Sequence, residues 1–344
     1  MRALAIEEYG GPEKAQVVNL PDPEPDPGEV VVRLEAAALN HLDLWTLSGS
    51  LGIEHEFPHT LGADGAGVVE AVGEGVATGI KQGANVVVNG GLSCGKCEFC
   101  RAGEQSLCVK FKILGEHVRG TFAEYIKLPA TNVFPYPQHL SAQEAAALGL
   151  TFLTAYRMLF TQAGLQPGEW VCITGIGGGL AQALFQLAKP VAGRMFVTSS
   201  SDEKIHKALE LGADEGVNYA DADQAKKLRN LTGKRGVDLI VDSAGGPSLE
   251  MAMRALRKGG RIVIAGATAG PKADIDLRRL FWNQLRIIGS TMGSDSDVSD
   301  MLRMVAGIEL TPLIDRSFKL DEGAEALAYL DSEARFGKVV LEIS

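Results

Sequence analysis

Short apolar runs dominate the first part of the chain. Runs rich in valine occur at 29–34, 67–72 and 85–88, and each is bounded by glycine, proline or aspartate. Runs of this length and composition predict β-strands. Short strands joined by frequent turns are typical of a partly closed barrel, so the sequence predicts a β-rich first domain.

The pattern changes near residue 150, where apolar runs begin to alternate with helical periodicity. One helical pattern runs from 178 to 189 and ends at Pro190, and the next ends at Leu211. The apolar runs that predict buried strands lie at 170–174, 195–198, 216–219, 238–242, 261–265 and 286–290. Strands interleaved with helices predict an α/β domain with a doubly wound parallel sheet. A last run at 337–343 predicts a strand that returns to the first domain.

Length and charge narrow the function classes. The chain has 344 residues, which suits two domains. Its formal net charge of −10 disfavours a nucleic-acid partner, because an acidic surface repels phosphate backbones. Arg2, Glu7 and Glu8 lie where a signal peptide needs an apolar stretch. No run approaches the roughly 18 apolar residues of a membrane span, so we expect a cytoplasmic protein with no membrane segment.

Four of the five cysteines are crowded together. Cys94, Cys97, Cys100 and Cys108 have the spacing C-x2-C-x2-C-x7-C. With no secretion signal, such a cluster indicates a metal site before it indicates disulfides. Four thiolates can enclose a tetrahedral zinc ion and leave no corner for water or substrate. The sequence therefore predicts one structural zinc ion per chain, in a lobe at about 92–110.

Two other interpretations of the cysteine cluster remain open. The four residues could form two disulfides or stay free thiols. They could also hold an iron–sulfur cluster, because the spacing of the first three cysteines matches the bacterial ferredoxin pattern. In that pattern the fourth cysteine follows after three residues and precedes proline, whereas here Cys108 follows after seven and precedes Val109.

A glycine-rich turn follows the predicted strand at 170–174. It contains Gly175, Gly177, Gly178 and Gly179, and it leads through Leu180 into a helix. Glycines allow the backbone to turn sharply and to approach a pyrophosphate, and the helix N-terminus supplies N–H groups. The strand before the turn and the helix after it favour a dinucleotide-binding site over a plain tight turn.

The residues after the next predicted strand, at 195–198, distinguish a site for NAD from one for NADP. A site for NAD usually has an acidic residue there, which accepts a hydrogen bond from the ribose 2′-hydroxyl. This chain has Ser199 and Ser200 instead, with Lys204 shortly after. Hydroxyls and a cation suit a 2′-phosphate, so the sequence favours NADPH, with NADH as the alternative. Ser200 and Glu203 also match a capping box for the following helix.

These residues together resemble the medium-chain dehydrogenase/reductase superfamily over nearly the whole chain. Some segments are similar to zinc-type alcohol dehydrogenases and others to quinone oxidoreductases. Besides the cysteine lobe and the glycine turn, the matching segments are 37–43, 61–67, 151–156 and 335–339. The resemblance implies a GroES-like β-barrel domain at 1–149 and 293–344, with a Rossmann domain inserted at 150–292. It also implies a homodimer or homotetramer that acts on a small-molecule substrate.

The resemblance also implies roles for single residues. Thr154, Gly266 and Lys338 match positions near the nicotinamide half of the cofactor, and Tyr219 matches a position by the adenosine phosphate. The ligands of a catalytic zinc in the family, with its nearby glutamate, align with Asn40, Ala63, Leu150 and Asp64. Alanine and leucine cannot bind a metal, so we expect no catalytic zinc. A site rebuilt from His59, Asp64 and a partner is the alternative.

The sequence thus leads to a function hypothesis and two competitors. The hypothesis is NADPH-dependent reduction of a quinone or an α,β-unsaturated carbonyl, in which Asn40 positions substrate or nicotinamide. His41 and Asp43 are the candidates for hydrogen bonding or proton supply. The competitors are a zinc-dependent alcohol dehydrogenase with an atypical metal site and an NADPH-binding protein without catalysis.

Overall fold

The structure is a computed structural model that describes residues 1–221 and 223–343. The chain forms two compact units. Unit 1 comprises Met1–Leu153 and Met292–Ser344, and unit 2 comprises Thr154–Thr291. The first boundary lies four residues beyond the predicted one, within the helical segment Ala142–Tyr156. Among the described residues, no helix is both long and apolar enough to span a bilayer.

The strands are numbered in chain order. They are β1 (Arg2–Ile6), β2 (Ala15–Asn19), β3 (Glu29–Ala38), β4 (His59–Thr60), β5 (Asp64–Val72), β6 (Asn85–Val88), β7 (Gly91–Leu92), β8 (Lys112–Ile113), β9 (Tyr125–Pro129), β10 (Val133–Pro135), β11 (Trp170–Ile173), β12 (Arg194–Ser199), β13 (Glu215–Asn218), β14 (Val237–Asp242), β15 (Leu256–Ile264), β16 (Arg286–Gly289), β17 (Ile314–Lys319) and β18 (Lys338–Glu342).

The helices are numbered in the same way. They are α1 (His41–Ser48), α2 (Glu98–Arg101), α3 (Ala142–Tyr156), α4 (Gly179–Ala188), α5 (Asp202–Glu210), α6 (Gln224–Leu231), α7 (Ser248–Ala255), α8 (Leu277–Trp282), α9 (Asp295–Gly307) and α10 (Gly323–Asp331). A π-helical stretch, Arg157–Gln162, continues α3.

Unit 1 is built around β3, which pairs with β5, β9 and β18. The strand order of its main sheet is β10-β6-β5-β3-β18-β17, and β2-β1-β4 form a second sheet. The last strand, β18, pairs antiparallel with β3, which confirms the predicted return of the chain to the first domain. Large apolar side chains such as Leu34, Phe122 and Leu341 are fully buried in this core. The C-terminal segment is therefore an integral part of unit 1.

Two features explain why β3 is longer than the apolar run at 29–34. Its last residues are Ala36, Ala37 and Ala38, which have low strand propensity but are fully buried. They lie opposite Gly65 and Ala66 of β5, where small residues allow close packing. The strand thus continues through residues whose pattern does not indicate one.

Unit 2 contains a parallel sheet with the order β13-β12-β11-β14-β15-β16. This order confirms the predicted doubly wound α/β fold. Chain connections run to opposite sides of β11, so the sheet has its topological switch point there, and ligands of such sheets bind beyond the carboxyl ends of the strands. Val171, Cys172 and Ile173 of β11 are fully buried, and burial raises the pKa of the Cys172 thiol to about 12, with a further contribution from Asp242. Cys172 is therefore an unreactive core residue.

Candidate functional site

Four thiol groups converge in unit 1. The Sγ atoms of Cys94, Cys97, Cys100 and Cys108 all lie within 4.8 Å of one another, and all four residues are free thiols. Local structure brings them together: Cys97 caps α2, Cys100 lies within it, and Cys108 ends the following 3-10 turn. Gly95 and Gly103 have φ of +68° and +80°, which provides the two reversals between them.

The geometry of the cysteine lobe fits one zinc ion. A tetrahedral zinc with Zn–S distances near 2.3 Å has S–S separations of about 3.8 Å. The Sγ atoms of Cys97 and Cys100 are 3.4 Å apart, and those of Cys94 and Cys100 are 4.0 Å apart. Backbone N–H groups of Cys94 and Lys110 donate to Cys108 Sγ at 3.2 and 3.3 Å. Such donors stabilise the thiolate form, which is the form that binds metal.

The glycine turn lies at the carboxyl end of β11. Gly175 adopts φ +67°, in the left-handed region, and the N–H of Ile176 donates to Thr198 O of the adjacent strand at 2.9 Å. Gly178 caps α4, so the first N–H groups of this helix are open to an anion. A Cβ at Gly177 would lie 2.7 Å from Cδ of Lys204. The turn is therefore tight, and the Lys204 side chain lies beside it.

The capping prediction for the next helix is wrong by one residue. Ser201, not Ser200, caps α5 by accepting a hydrogen bond from the N–H of Lys204 at 3.3 Å. Glu203 forms an ion pair with Lys207 at 2.7 Å instead of closing a capping box. Because Ser201 takes the capping position, Ser200 is left exposed at the end of the strand.

The other predicted cofactor residues of unit 2 lie as follows. Ser199 ends β12 and is buried, whereas Tyr219 follows β13 and is 44% exposed. Gly266 follows β15 at the same edge of the sheet, where a Cβ would lie 2.5 Å from Ser243 O. Leu180 is in the first turn of α4. Thr154 is buried near the end of α3, and the structure gives its hydroxyl no hydrogen-bond partner.

Sequence reasoning missed two carboxylates in unit 2. Asp242 is fully buried at the carboxyl end of β14 and accepts hydrogen bonds from Thr174 Oγ1 at 2.5 Å and Ser248 Oγ at 2.7 Å. It thereby fixes the loop beside the switch point, and the signal for it was an aspartate directly after an apolar run. Asp202 opens α5 and accepts from Asn218 Nδ2 at 2.8 Å. It is the carboxylate nearest in sequence to the end of β12.

In unit 1, a lysine occupies the centre of a buried polar cluster formed by Asn40, Asp43, Asp64 and Lys338. The ammonium group of Lys338 has three N–H bonds. It donates to Leu39 O at 2.9 Å, to Asn40 Oδ1 at 2.8 Å and to Asp64 Oδ2 at 3.1 Å. All three donors are thus used within unit 1, and Lys338 is 2% exposed. The predicted contact of Lys338 with the cofactor stays a prediction.

Asp64 is the acceptor on which the cluster converges. Its Oδ2 also accepts from Asn40 Nδ2 at 2.8 Å, and its Oδ1 accepts from the backbone N–H of Leu150 at 2.6 Å. The second bond forms because α3 is kinked at Gly149, which has ψ of −122°. A Cβ at Gly149 would lie 2.2 Å from Asp64 Oδ1, so only glycine fits. The carboxylate is therefore fully occupied by protein donors.

Asp43 and His41 differ in how they are held. Asp43 is fully buried and accepts from the N–H groups of Asn40 at 2.7 Å and Gly62 at 3.2 Å. Burial raises its pKa to about 7 despite these bonds.

His41 begins α1 and packs edge-on against Trp45, with ring centroids 4.9 Å apart. Burial, followed by the charge of Arg335, lowers the pKa of His41, and its buried Nδ1 has no partner. His41 therefore retains a nitrogen, Nδ1, that no described protein group binds.

The positions aligned with catalytic zinc ligands offer no metal site. Asn40 is bonded on both sides of its amide, Ala63 is fully buried, and Leu150 contributes only its N–H. His59 Nε2 donates to Gly115 O at 2.9 Å, and its ring lies against that of His55 with centroids 4.1 Å apart, so His59 does not join Asp64. In the part of the chain that the structure describes, the cysteine lobe is the only group of three or more metal-binding side chains in reach of one ion.

Comparisons with known proteins agree with this architecture. A family model described as alcohol dehydrogenase GroES-like domain matches residues 26–138, and one described as zinc-binding dehydrogenase matches residues 179–307. An NAD-dependent alcohol dehydrogenase of Saccharolobus solfataricus is 31% identical over 350 residues and covers 99% of each chain. A quinone oxidoreductase of Rattus norvegicus is 28% identical over 351 residues, covering 99% of this chain and 97% of its own. A solved NAD-dependent alcohol dehydrogenase has 46% identity, full coverage of both chains and a TM-score of 0.94.

The buried histidine His59 predicts acid sensitivity. Burial, together with nearby His55 and Arg119, lowers the pKa of His59 to about 4, although the bond to Gly115 O opposes this. Below pH 6.5 His59 becomes protonated in the unfolded chain, whereas in the folded chain it stays neutral until the pH approaches 4. Stability is therefore lost as the pH falls through this window, by up to about 2.5 kcal/mol at pH 4.5. Urea unfolding of His59→Gln should show a shallower loss between pH 6.5 and 4.5.

The matched control for this prediction is His206→Gln. The side chain of His206 is 74% exposed on α5, so its replacement should leave the pH dependence unchanged. A wild-type slope in His59→Gln, or an equal change in both variants, would contradict the assignment.

Proposed function

Because the chain belongs to the medium-chain dehydrogenase/reductase superfamily, we propose that it is an oxidoreductase that reduces a quinone or an α,β-unsaturated carbonyl with NADPH. We further propose that it holds one structural zinc ion and uses no catalytic metal. The observation that carries this proposal is the buried polar cluster. Asp64 has protein donors on both oxygens, where a metal-dependent relative would need an open ligand set.

The absence of metal ligands favours an activated acceptor. A zinc ion lowers the pKa of a bound alcohol and polarises a carbonyl, and simple alcohol oxidation depends on that assistance. Hydride addition to the β-carbon of an enone, or to a quinone, places negative charge on an oxygen that hydrogen bonds can stabilise. When bound, the nicotinamide cofactor supplies the hydride. The chain must then supply orientation, a hydrogen bond to the developing oxyanion and a proton.

Asn40 and His41 are the proposed catalytic groups of unit 1. Lys338 and Asp64 hold the amide of Asn40 from both sides, so its orientation is fixed before substrate binds. We assign proton supply to the protonated form of His41 rather than to Asp43, because burial, which lowers the pKa of His41, makes that form a stronger acid. His41 is half-buried with a nitrogen that has no protein partner, whereas both oxygens of Asp43 accept backbone N–H groups. Lys338 acts in this proposal as a positioning residue.

Unit 2 supplies the proposed cofactor site. Gly175, Gly177, Gly178 and Gly179 with Leu180 form the turn at the N-terminus of α4, which suits a pyrophosphate. Exposed Ser200 and the Lys204 side chain beside Gly177 suit a 2′-phosphate, with Ser199 at the end of β12 and Tyr219 directly after β13. The buried unpartnered hydroxyl of Thr154 and the backbone at Gly266 are the candidates for the nicotinamide end.

The cysteine lobe supplies the proposed zinc site. The four sulfurs fill every corner of a tetrahedron, so the ion would stabilise the lobe without contacting substrate. An alcohol dehydrogenase with a second, atypical zinc is the competing function, because two of the relatives described above carry that name. A protein that binds NADPH without turnover is the other competitor.

Metal analysis separates the first two functions. The purified chain should contain one zinc atom, and Cys100→Ser should lose it because three thiolates form an open site. Cys172→Ala is the matched control, since Cys172 is a buried thiol outside the lobe and its loss should leave the zinc content at one. Two zinc atoms per chain would favour the alcohol dehydrogenase. Visible absorbance from iron with no zinc would contradict the zinc assignment.

Substrate assays test the chemistry. We expect NADPH oxidation with quinones and enones, little or none with simple aldehydes, and no loss of rate when a chelator removes accessible metal. His41→Gln should lower kcat by about 10²-fold or more with little change in the KM for NADPH, because it removes the proposed proton donor. Strong aldehyde turnover that a chelator abolishes would contradict the metal-free mechanism. Tight NADPH binding without turnover on any acceptor would favour the non-catalytic competitor.

Lys204 tests the choice of cofactor. If its ammonium contacts a 2′-phosphate, Lys204→Ala should raise the KM for NADPH about tenfold, the loss of roughly 1.4 kcal/mol, and leave the KM for NADH unchanged. Lys207→Ala on the same helix is the control, since Lys207 pairs with Glu203. Two relatives are named NAD-dependent, so NADH is the necessary comparison. A lower KM for NADH than for NADPH in the unaltered chain would overturn the NADPH preference.

A further inference from the structure

A cavity lined by cations opens in unit 2, away from the glycine turn. Its volume is about 390 Å³. Its polar lining consists of Arg229, Arg235, Arg257, Lys258, Arg279 and Asn283. Some of these residues lie shortly before β14, some at the start of β15 and some shortly before β16. The first residues of β14 and β15, Val237 and Leu256, are paired with each other. We call this feature the basic cavity. It lies at the amino ends of the strands, whereas the glycine turn follows the carboxyl end of β11.

The concentration of positive charge in the basic cavity is unusual for an acidic chain. Five cations line one cavity in a protein of formal net charge −10. The nearest counter-charge is buried Asp238, which Arg235 binds with two bonds of 2.9 Å and Arg257 binds through Nε. Burial would raise the pKa of Asp238, but these bonds and the N–H of Trp170 outweigh it and lower the pKa to about 2. One carboxylate therefore serves two guanidinium groups.

The remaining cations are less well compensated. Arg229 donates to Leu256 O at 3.3 Å and to Lys234 O at 2.5 Å, which satisfies carbonyls near the end of α6 but brings no negative charge. In the described part of the chain, no carboxylate lies within ion-pair distance of the side chains of Lys258 and Arg279. Like charges that line one cavity repel one another, and the free-energy cost of this repulsion is larger where the side chains are partly buried. A bound anion would remove that cost.

The donor set indicates which anion. Guanidinium groups present paired N–H donors that match phosphate oxygens, and lysine adds a point charge. The volume falls within the range of small-molecule sites. The cations come from three separate segments and line a volume of about 390 Å³, which is far larger than one phosphate group fills. We propose that the basic cavity binds a small molecule with two or more linked phosphate groups, at a site distinct from the cofactor turn. This proposal does not depend on the oxidoreductase chemistry.

Calorimetric titration with sodium tripolyphosphate tests the proposal. The full chain is first saturated with whichever of NADPH and NADH binds more tightly, so that the glycine turn cannot account for the signal. We expect one further site per chain, with a Kd at least tenfold lower than that for inorganic monophosphate at the same ionic strength. No binding of tripolyphosphate under these conditions, or equal affinity for the two anions, would overturn the proposal.

Charge-neutralising variants locate the site. Lys258→Gln and Arg279→Gln should each raise the Kd for tripolyphosphate at least threefold, and the two together at least tenfold. Arg254→Gln is the matched control: it removes the same charge from the same unit, but Arg254 lies on α7 beside Glu250 and does not line the cavity. It should leave the Kd unchanged. Equal weakening in all three single variants would show a general charge effect and overturn the assignment. Two lining positions are tested, so a folding defect in one variant leaves the other informative.

Discussion

The buried ion pair between Lys338 and Asp64 is the interaction on which unit 1 depends. It joins the first residue of β18 to the first residue of β5, and both side chains are excluded from water. Removing either partner would leave an uncompensated buried charge, a loss that typically costs about 3–5 kcal/mol. The same pair orients Asn40 and draws the N–H of Leu150 toward the carboxylate. Structural stability and the proposed arrangement of catalytic groups therefore rest on the same few hydrogen bonds.

Local sequence patterns predicted the features whose causes are local. The cysteine spacing lies within a single short segment, so it indicated the converging thiols of Cys94 to Cys108 without knowledge of the fold. The glycine turn was equally readable, because strand, turn and helix follow one another along the chain. The capping error at Ser200 shows the limit of this approach. Two adjacent serines both fit the motif, and only the backbone conformation selects Ser201.

Long-range features were not predictable in the same way. The resemblance matched Asp64 to a family position, but it gave no sign that Lys338, 274 residues later, would supply the counter-charge. The kink at Gly149 was not predictable for the same reason, because the hydrogen bond that it permits is made with Asp64, which is distant in the sequence. The basic cavity also assembles from three segments that look like ordinary solvated charge in the sequence. Each of these features depends on pairing across the fold, which periodicity does not report.

The placement of β18 has a consequence for biosynthesis. Unit 2 is one continuous stretch, so a ribosome releases all of its strands before the last part of unit 1 emerges. Until the segment from residue 338 onward has been synthesised, unit 1 stays incomplete. Its strand β3 lacks the pairing with β18, and Asp64 lacks the ion pair with Lys338. During that interval its β-rich portion exposes an open strand edge, the kind of surface that recruits chaperones or aggregates. Unit 1 can therefore complete its folding only after β18 has been synthesised.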